Sequence, residues 1–238
     1  MARRIIAVFG PSGSNPYAVT AKSLGRQIAQ HHILLSGGSG KPDGSVKESA
    51  LAGAEEALQM GGEGGWIAVP KAGAPVTVPR HRRGFVLAND YRDERNFINA
   101  LVCQSAIALK GGPGTDSEVA FALALGRPVI LLGPGWEGLA ALPDLPESGA
   151  ATLVSMIDQL FGPPKTPVNA VERAIVDARQ TLRELKVFDV RTMPDLHADA
   201  ARIVDIAAGC ASALCLDQLG QLVGSATSVR FRSWLASS

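Results

Sequence analysis

The 238-residue chain has little net charge, few aromatic residues and no long uninterrupted apolar run. Its 23 basic and 22 acidic side chains leave a formal charge of +1, so no long-range field draws it to nucleic acid or to an anionic membrane. No window approaches the roughly 18 consecutive apolar residues of a membrane helix. The first residues lead into a strand-like run and a glycine turn, unlike a signal peptide. We therefore expect a cytoplasmic protein without nucleic-acid or membrane partners.

Cysteine is also scarce, with three residues at positions 103, 210 and 215. Their number is odd and they lie in apolar stretches that are typical of helices. None of them has metal-ligand spacing with the four histidines. This pattern predicts buried, reduced thiols and no metal site.

The most informative segment is the glycine-rich run Lys-Gly-Gly-Pro-Gly-Thr-Asp-Ser-Glu at 110–118. It follows an apolar run at 106–109 and precedes a helical pattern that reaches 125, which predicts strand, turn and helix. Glycines let backbone N–H groups approach a ligand, and the positive end of the following helix favours an anion. We expect Thr115 to cap this helix and to offer its hydroxyl to a ligand. Glu118 lies within reach of the same spot, although Thr-x-x-Glu is also the pattern of a capping box.

Short apolar runs alternate with segments of helical period along the first 132 residues. Continuous hydrophobicity is typical of strands that are buried on both faces of a parallel sheet. We expect Asn15 to cap the first helix, with Pro16 at its first position. The fold class is therefore predicted as α/β, a Rossmann-like doubly wound parallel sheet with the order 3-2-1-4-5. The pattern predicts strands at 4–9, 33–35, 66–69, 106–109 and 128–132, leaves a short strand at 85–87 open, and predicts helices at 16–30, 45–60, 91–104 and 116–125.

Such sheets bind ligands at the switch point, where neighbouring strands wind in opposite directions. In the predicted order, strands 1 and 4 are these neighbours, and the turns at 10–14 and 111–115 fall side by side. Two glycine turns that converge from distant parts of the chain predict a cleft for a phosphate or another small anion. The expected ligand-binding residues are Gly10, Ser12, Gly13, Ser36, Gly37, Gly38, Gly111, Gly112, Gly114 and Thr115.

The segment after residue 132 differs in character. Residues 133–150 read as a loop, 151–161 as a helix that closes the first unit, and 162–167 as a linker. We therefore expect a Rossmann-like ligand-binding domain at 1–162 and a helical extension at 163–238. The extension carries apolar stripes that must pack on the first unit or on a second subunit, and we expect a homodimer or higher homo-oligomer.

The segments Ser36-Gly37-Gly38, Glu94-Arg95-Asn96 and 111–118 resemble a known family. It comprises the LONELY GUY-type phosphoribohydrolases that activate cytokinins, once mislabelled "lysine decarboxylase-like". Residues 94–132 resemble most the branch that includes molybdenum cofactor carrier proteins. The resemblance covers roughly 4–160 and implies a Rossmann fold and a dimer.

For individual residues, the resemblance implies that Arg95 and Glu118 match the two catalytic residues of the hydrolases. Asn96 stands where those enzymes have lysine and is typical of the carrier-like branch, where it belongs to the ligand site. Lys110 replaces a proline, and Lys41-Pro42-Asp43 lengthens the second glycine turn. These departures favour binding over hydrolysis.

Three functions remain open on these grounds. The preferred one is carrier-like binding of a small phosphorylated ligand, either a nucleotide or a molybdopterin-type cofactor, with no cofactor required for chemistry. The first alternative is a phosphoribohydrolase that cleaves nucleoside 5′-monophosphates into free base and ribose 5-phosphate, with Arg95 as a phosphate clamp and Glu118 as a stabiliser of the oxocarbenium-like transition state. The second alternative is a non-catalytic interaction module.

Overall fold

A computed structural model describes residues 2–38, 43–76, 79, 81–91, 95–133, 136, 187–188, 196–214, 216 and 219–237. The predicted helix at 151–161, the linker at 162–167 and most of the loop at 133–150 lie outside these residues. The same holds for Cys215 and for the apolar stripe predicted at 171–185.

The structure contains a seven-stranded, wholly parallel sheet with the order β4-β3-β2-β1-β5-β6-β7. Its strands are β1 (Ile5–Phe9), β2 (Ile33–Ser36), β3 (Gly65–Ala68), β4 (Gly84–Val86), β5 (Ser105–Leu109), β6 (Val129–Leu132) and β7 (Val187–Phe188). The predicted Rossmann-like fold is confirmed, and the five predicted strands occupy the centre in the predicted order. The short run near residue 85 forms one edge. The other edge, β7, has two residues, too few for a periodic pattern to reveal it.

Helices cover both faces of the sheet. They are α1 (Ala18–His31), α2 (Val46–Gln59), α3 (Arg95–Val102), α4 (Pro113–Ala124), α5 (Leu196–Gly209), α6 (Leu219–Val223) and α7 (Ser225–Ser237). Successive strand residues point to opposite faces, so Ile6 and Val8 pack beneath α1, α2 and α5, whereas Ile5 and Ala7 pack beneath α3, α4, α6 and α7. Both faces are therefore apolar, which explains the continuous hydrophobicity of the strands.

The ends of three helices differ from the prediction. Helix α1 begins at Ala18 because the Asn15 side chain accepts a hydrogen bond from the Tyr17 N–H at 2.9 Å, which forms a separate turn before the helix.

Helix α3 is described over Arg95–Val102, so it ends two residues before the predicted 104, and Tyr91, the predicted first residue, lies outside it. Helix α4 begins at Pro113, three residues before the predicted 116.

Helices α1 and α2 pack unusually closely through two glycines. A Cβ atom on Gly25 would overlap the carbonyl oxygen of Ala50, and one on Gly53 would overlap that of Lys22. Neither glycine has a positive φ, so the requirement is space and not backbone conformation. This contact brings the first turn of α2 down against the first glycine turn.

The described part of the extension packs on the same sheet. In α5, Ile203 and Val204 are buried beside α1. On the other face, Phe231 of α7 packs against Phe85 of β4, with ring centroids 5.3 Å apart. The Trp234 Nε1–H donates to the carbonyl oxygen of Arg82 at 3.2 Å. These contacts bury part of each described apolar stripe within one chain, while Ile206 of α5 stays 39% exposed.

The two described cysteines differ in environment. Cys103 follows α3 and is fully buried, and burial raises the pKa of its thiol to about 12. Cys210 is exposed at the end of α5, so the prediction of a buried thiol is wrong there.

No described helix has the length and apolar character required to cross a membrane.

Candidate functional site

The glycine turns after β1 and β5 lie against each other. A Cβ atom on Gly111 would approach the backbone nitrogen of Pro11 to 3.0 Å and would overlap the Thr115 hydroxyl. Gly13 has a φ of 76°, in the left-handed region that favours glycine, and nothing lies within 4 Å of its Cβ position. The Cβ position of Gly112 is equally open. The predicted convergence thus produces one surface of exposed backbone with free space above two of its glycines.

Gly10 and Ser36 support this surface from beneath. A Cβ atom on Gly10 would overlap the side chain of Val46, the first residue of α2. The Ser36 hydroxyl is buried and donates to the carbonyl oxygen of Lys47 at 3.0 Å. Both predicted site residues therefore fix the position of α2.

The start of α4 corrects the predicted roles of two residues. The helix begins at Pro113, two residues before Thr115, so Thr115 lies inside the first turn and is not the N-cap. Its N–H donates to the carbonyl oxygen of Gly112 at 2.9 Å. Glu118 bonds to other elements instead of capping α4. The expected cap is therefore wrong, and the alternative of a capping box is not formed. Pro113 has no N–H and the N–H groups of Thr115 and Asp116 both donate to Gly112, so the open glycines lie at the positive end of α4.

Arg95, the first residue of α3, spans the ends of β2 and β3. Its Nη1 donates to the carbonyl oxygen of Gly37 at 2.5 Å and to that of Val69 at 2.7 Å. The side chain is 3% exposed. These bonds hold Arg95 across two turns of the cleft, and Gly37 is required because a Cβ atom there would overlap Nη1.

Asn96 lies at the other side of α3 and links it to α4. Its Nδ2 donates to the carbonyl oxygen of Gly114 at 3.2 Å and to the Ser117 hydroxyl at 2.9 Å. The Ser117 hydroxyl also donates to Gly114 at 2.8 Å. Asn96 therefore positions the glycine turn, and the Gly114 carbonyl is already occupied from two sides.

Glu118 lies beneath the cleft in a buried polar cluster. Its Oε1 accepts from Lys47 Nζ at 3.2 Å and from Asn99 Nδ2 at 2.8 Å. Glu118 has no exposed surface, and its Oε2, like Asn99 Oδ1, has no hydrogen-bond partner among the described residues. Burial lowers the pKa of Lys47, with Arg95 acting in the same direction and the Glu118 carboxylate opposing it. A cluster with this balance of charge and burial is typical of functional sites.

A cavity of about 170 Å³ opens above this cluster at the ends of β2 and β3. Its walls bring together the predicted residues Ser12, Gly37, Gly38 and Arg95 with Lys47. Glu118 does not line it, so Lys47 and Arg95 stand between the cavity and that carboxylate. The charged side chains around the cavity are Asp43, Lys47, Glu48, Lys71 and Arg95.

A larger cavity, of about 890 Å³, lies at the opposite edge of the sheet. It is lined by Ile5 and Ile33, at the amino ends of β1 and β2, and by His32, among others. None of the glycine turns reaches it. Ligands of open parallel sheets bind at the carboxyl ends, so we assign the functional site to the smaller cavity and the glycine surface beside it.

Sequence reasoning missed Lys47 and Asn99, although each left a signal. Lys47 is a cation in the first turn of α2, where the helix dipole disfavours positive charge. Asn99 is a lone amide within the apolar run Phe97–Val102. Each residue is unfavourable in its local sequence, Lys47 because of its charge and Asn99 because of its polarity. Such residues are commonly stabilised by a partner that is distant in the sequence.

A doubly wound parallel sheet whose glycine turns meet at the switch point defines a Rossmann-like α/β protein. The chain belongs to the SLOG cluster4 family, whose model matches residues 3–156.

Solved structures of related proteins are similar to the chain. The molybdenum cofactor binding protein from the phototrophic bacterium Rippkaea orientalis is 29% identical over 74% of this chain and 99% of its own, with a TM-score of 0.47. The molybdenum cofactor carrier protein of Chlamydomonas reinhardtii is 30% identical over 76% and 99%, with a TM-score of 0.45. The protein TM1055, 20% identical over 85% and 99%, has a TM-score of 0.52 and supports the fold. Curated proteins gave no significant match.

Proposed function

We propose that the protein binds a small phosphorylated ligand at the carboxyl edge of the sheet and releases it unchanged, as a carrier does. The observation that carries this proposal is the contact between the turns after β1 and β5, with open space above Gly13 and Gly112. The positive end of the α4 dipole and the open backbone at Gly112 favour a phosphate at this position.

The ligand belongs to one of two classes, a nucleotide or a molybdopterin-type cofactor. Both carry a phosphate and a flat heterocycle. The relatives of about 30% identity are described as molybdenum cofactor binding and carrier proteins, which favours the pterin class. In this proposal Gly111, Gly112 and Thr115 hold the phosphate, and Arg95 orients the turns around it.

A calorimetric titration tests the proposal, with AMP, GMP and molybdenum cofactor as ligands and adenosine as the unphosphorylated control. We expect binding by at least one phosphorylated ligand and none by adenosine.

The Gly112→Ala variant places a methyl group in the open space without contact to other atoms. It should melt near the wild-type temperature yet bind at least about tenfold more weakly. The matched control is Gly209→Ala, whose Cβ position is also open but lies at the end of α5. Wild-type binding in Gly112→Ala would move the site elsewhere.

Phosphoribohydrolase activity is the competing function, and the burial and hydrogen bonds of Glu118 argue against it. A carboxylate that stabilises an oxocarbenium-like transition state must approach the sugar. Glu118 is enclosed and bonded to Lys47 and Asn99. Incubation of the protein with AMP, followed by chromatography, decides the question. We expect intact AMP, and release of adenine that disappears in Glu118→Gln would establish the hydrolase instead.

We further propose that residues 163–238 serve as an extension to a binding domain at 1–162 and that the protein forms a homodimer. The dimer is supported by the resemblance to dimeric relatives. The α5 stripe adds little support, because Ile203 and Ala207 are buried in their own chain and Ile206 is only 39% exposed. Light scattering of the full chain and of a chain truncated after residue 161 tests both points. A truncated chain that is equally stable and remains dimeric would show that the extension contributes to neither. A full chain that scatters as a monomer would refute the dimer.

A further inference from the structure

The Lys47 side chain has a setting that its role as a counter-ion does not explain. It lines the 170 Å³ cavity, is 9% exposed, lies 3.2 Å from the Glu118 carboxylate and is acted on by the positive charge of Arg95. Buried ion pairs cost desolvation and contribute little net stability, so a hydrophobic pair at these positions would serve the fold as well. The arrangement matches what a nucleophilic lysine requires: desolvation, a neighbouring cation and a carboxylate that accepts its proton.

We propose that Lys47 captures the carbonyl group of a small phosphorylated aldehyde as an imine, with the phosphate on the adjacent glycine surface. The proposal rests on the phosphate site described above. The cavity has the volume of about five or six water molecules, which suits an aldehyde and its immediate substituents but not a whole nucleotide.

The chemistry balances with the groups present. The Lys47 ammonium first transfers a proton to Glu118 Oε1, which lies 3.2 Å from Nζ. The free amine attacks the carbonyl carbon, an N–C bond forms, and a second nitrogen proton moves to the carbonyl oxygen to give a carbinolamine. The C–O bond then breaks, the hydroxyl takes the proton back from Glu118 and leaves as water, and the nitrogen lone pair forms the C=N bond. The products are a protonated imine, water and the original carboxylate.

The charges that face Lys47 act from several elements. Glu118 lies on α4, Arg95 on α3, Lys71 follows β3, and Asp43 and Glu48 lie on either side of the start of α2. Burial, Arg95 and Lys71 lower the pKa of Lys47, whereas Glu118 raises it, and the net shift is downward from 10.5. Lys47 is therefore more often a neutral amine at pH 8.5 than an exposed lysine is.

Reductive trapping of the wild-type protein tests the proposal. The protein is incubated at pH 8.5 with pyridoxal 5′-phosphate, reduced with borohydride and mapped by peptide mass spectrometry. We expect at least about threefold more label at Lys47 than at Lys22, whose side chain is exposed on α1, or at Lys71, which lines the same cavity. Lys47→Arg keeps the positive charge but forms no imine, so label at position 47 should be lost while label at Lys22 and Lys71 stays unchanged.

A parallel reaction with pyridoxal separates this inference from the phosphate site. Pyridoxal closes to a hemiacetal through its free 5′-hydroxyl and labels every lysine less, so the ratio of the two labels at Lys22 is the baseline. A preference for the phosphorylated aldehyde that is greater at Lys47 than at Lys22 supports both the imine and the phosphate site. The same ratio at both lysines, with Lys47 still labelled more than Lys22, would retain the imine and count against the phosphate site. Label confined to Lys22, Lys71 or other lysines would overturn the imine, whichever ligands bind in calorimetry.

Discussion

The Lys47 ammonium and the Glu118 carboxylate form an ion pair at 3.2 Å across the floor of the cleft, with side-chain exposures of 9% and 0%. We expect Glu118→Gln to lower the free energy of unfolding by about 3 kcal/mol, because it leaves Lys47 buried without its counter-charge. Urea denaturation at pH 7 measures the change.

Two further variants control this prediction. Lys47→Met combined with Glu118→Gln should recover part of the loss, since no buried charge then remains. Glu56→Gln removes a partner of Lys22 in an exposed pair and should cost less than about 1 kcal/mol. A Glu118→Gln variant as stable as Glu56→Gln would show that the buried pair is already neutral.

His32 makes stability depend on pH in the mildly acidic range. Burial, followed by the neighbouring His31, lowers the pKa of His32 below 6.5, and Asp205 opposes the shift. The unfolded chain therefore binds the extra proton first, and this contribution reduces stability as pH falls through 6.5. Denaturation curves at pH 7 and at about pH 5 should differ less in His32→Gln than in the wild type. His31→Gln removes one of the charges that lower the pKa of His32, so it should reduce the difference too, but by less than His32→Gln does. An unchanged difference in His32→Gln would assign the slope to other groups.

Gly25→Ala should destabilise the packing of α1 on α2. The new methyl group would overlap the backbone oxygen of Ala50, which has no rotamer to change, so the helices must separate. The expected loss is about 2 kcal/mol after the gain of roughly 1 kcal/mol in helix propensity. Thermal unfolding compared with Gly209→Ala, whose Cβ position is open, isolates the steric effect. Wild-type stability of Gly25→Ala would mean that the two helices tolerate a wider spacing.

Phe231→Ala tests whether α7 is part of the core. Phe231 is fully buried and contacts the ring of Phe85, so truncation should cost about 3–5 kcal/mol. Val229, on the same helix, is 62% exposed, and Val229→Ala should leave unfolding almost unchanged. If both variants unfold like the wild type, α7 does not hold the sheet together in solution.

The central sheet was predictable because its strands share one sequence pattern. Each of the five central strands, β1, β2, β3, β5 and β6, lies in a continuous apolar run bounded by glycine, proline or polar residues, and this pattern follows from burial on both faces. Helix starts were less predictable, since Asn15 and Thr115 have the chemistry of caps but bond elsewhere. The positions of α5, α6 and α7 depend on contacts with residues about 100 positions earlier, such as the bond from Gln104 to Ser212. No local pattern encodes such contacts.

The candidate site was predictable where the backbone makes it. Glycine turns can be recognised in the sequence, and the parallel order of the strands brings residues 10–14 beside residues 111–115. The side chains beneath the glycine turns could not be predicted, because their hydrogen-bond partners belong to other helices and strands. The sequence alone is compatible with Glu118 as a capping residue. Its actual partners, Lys47 and Asn99, lie 71 and 19 positions away and are known only from the structure.

The bond between Trp234 and Arg82 joins residues 152 positions apart, and the rings of α7 cover the edge strand β4. During synthesis the ribosome delivers β4 long before α7. The edge of this face at Phe85 therefore stays uncovered, although α3 and α4 already cover the central strands, and contacts of such long range are slow to form. Chaperones that hold exposed apolar surface have their longest opportunity to bind this face, in the interval before residues 225–237 emerge.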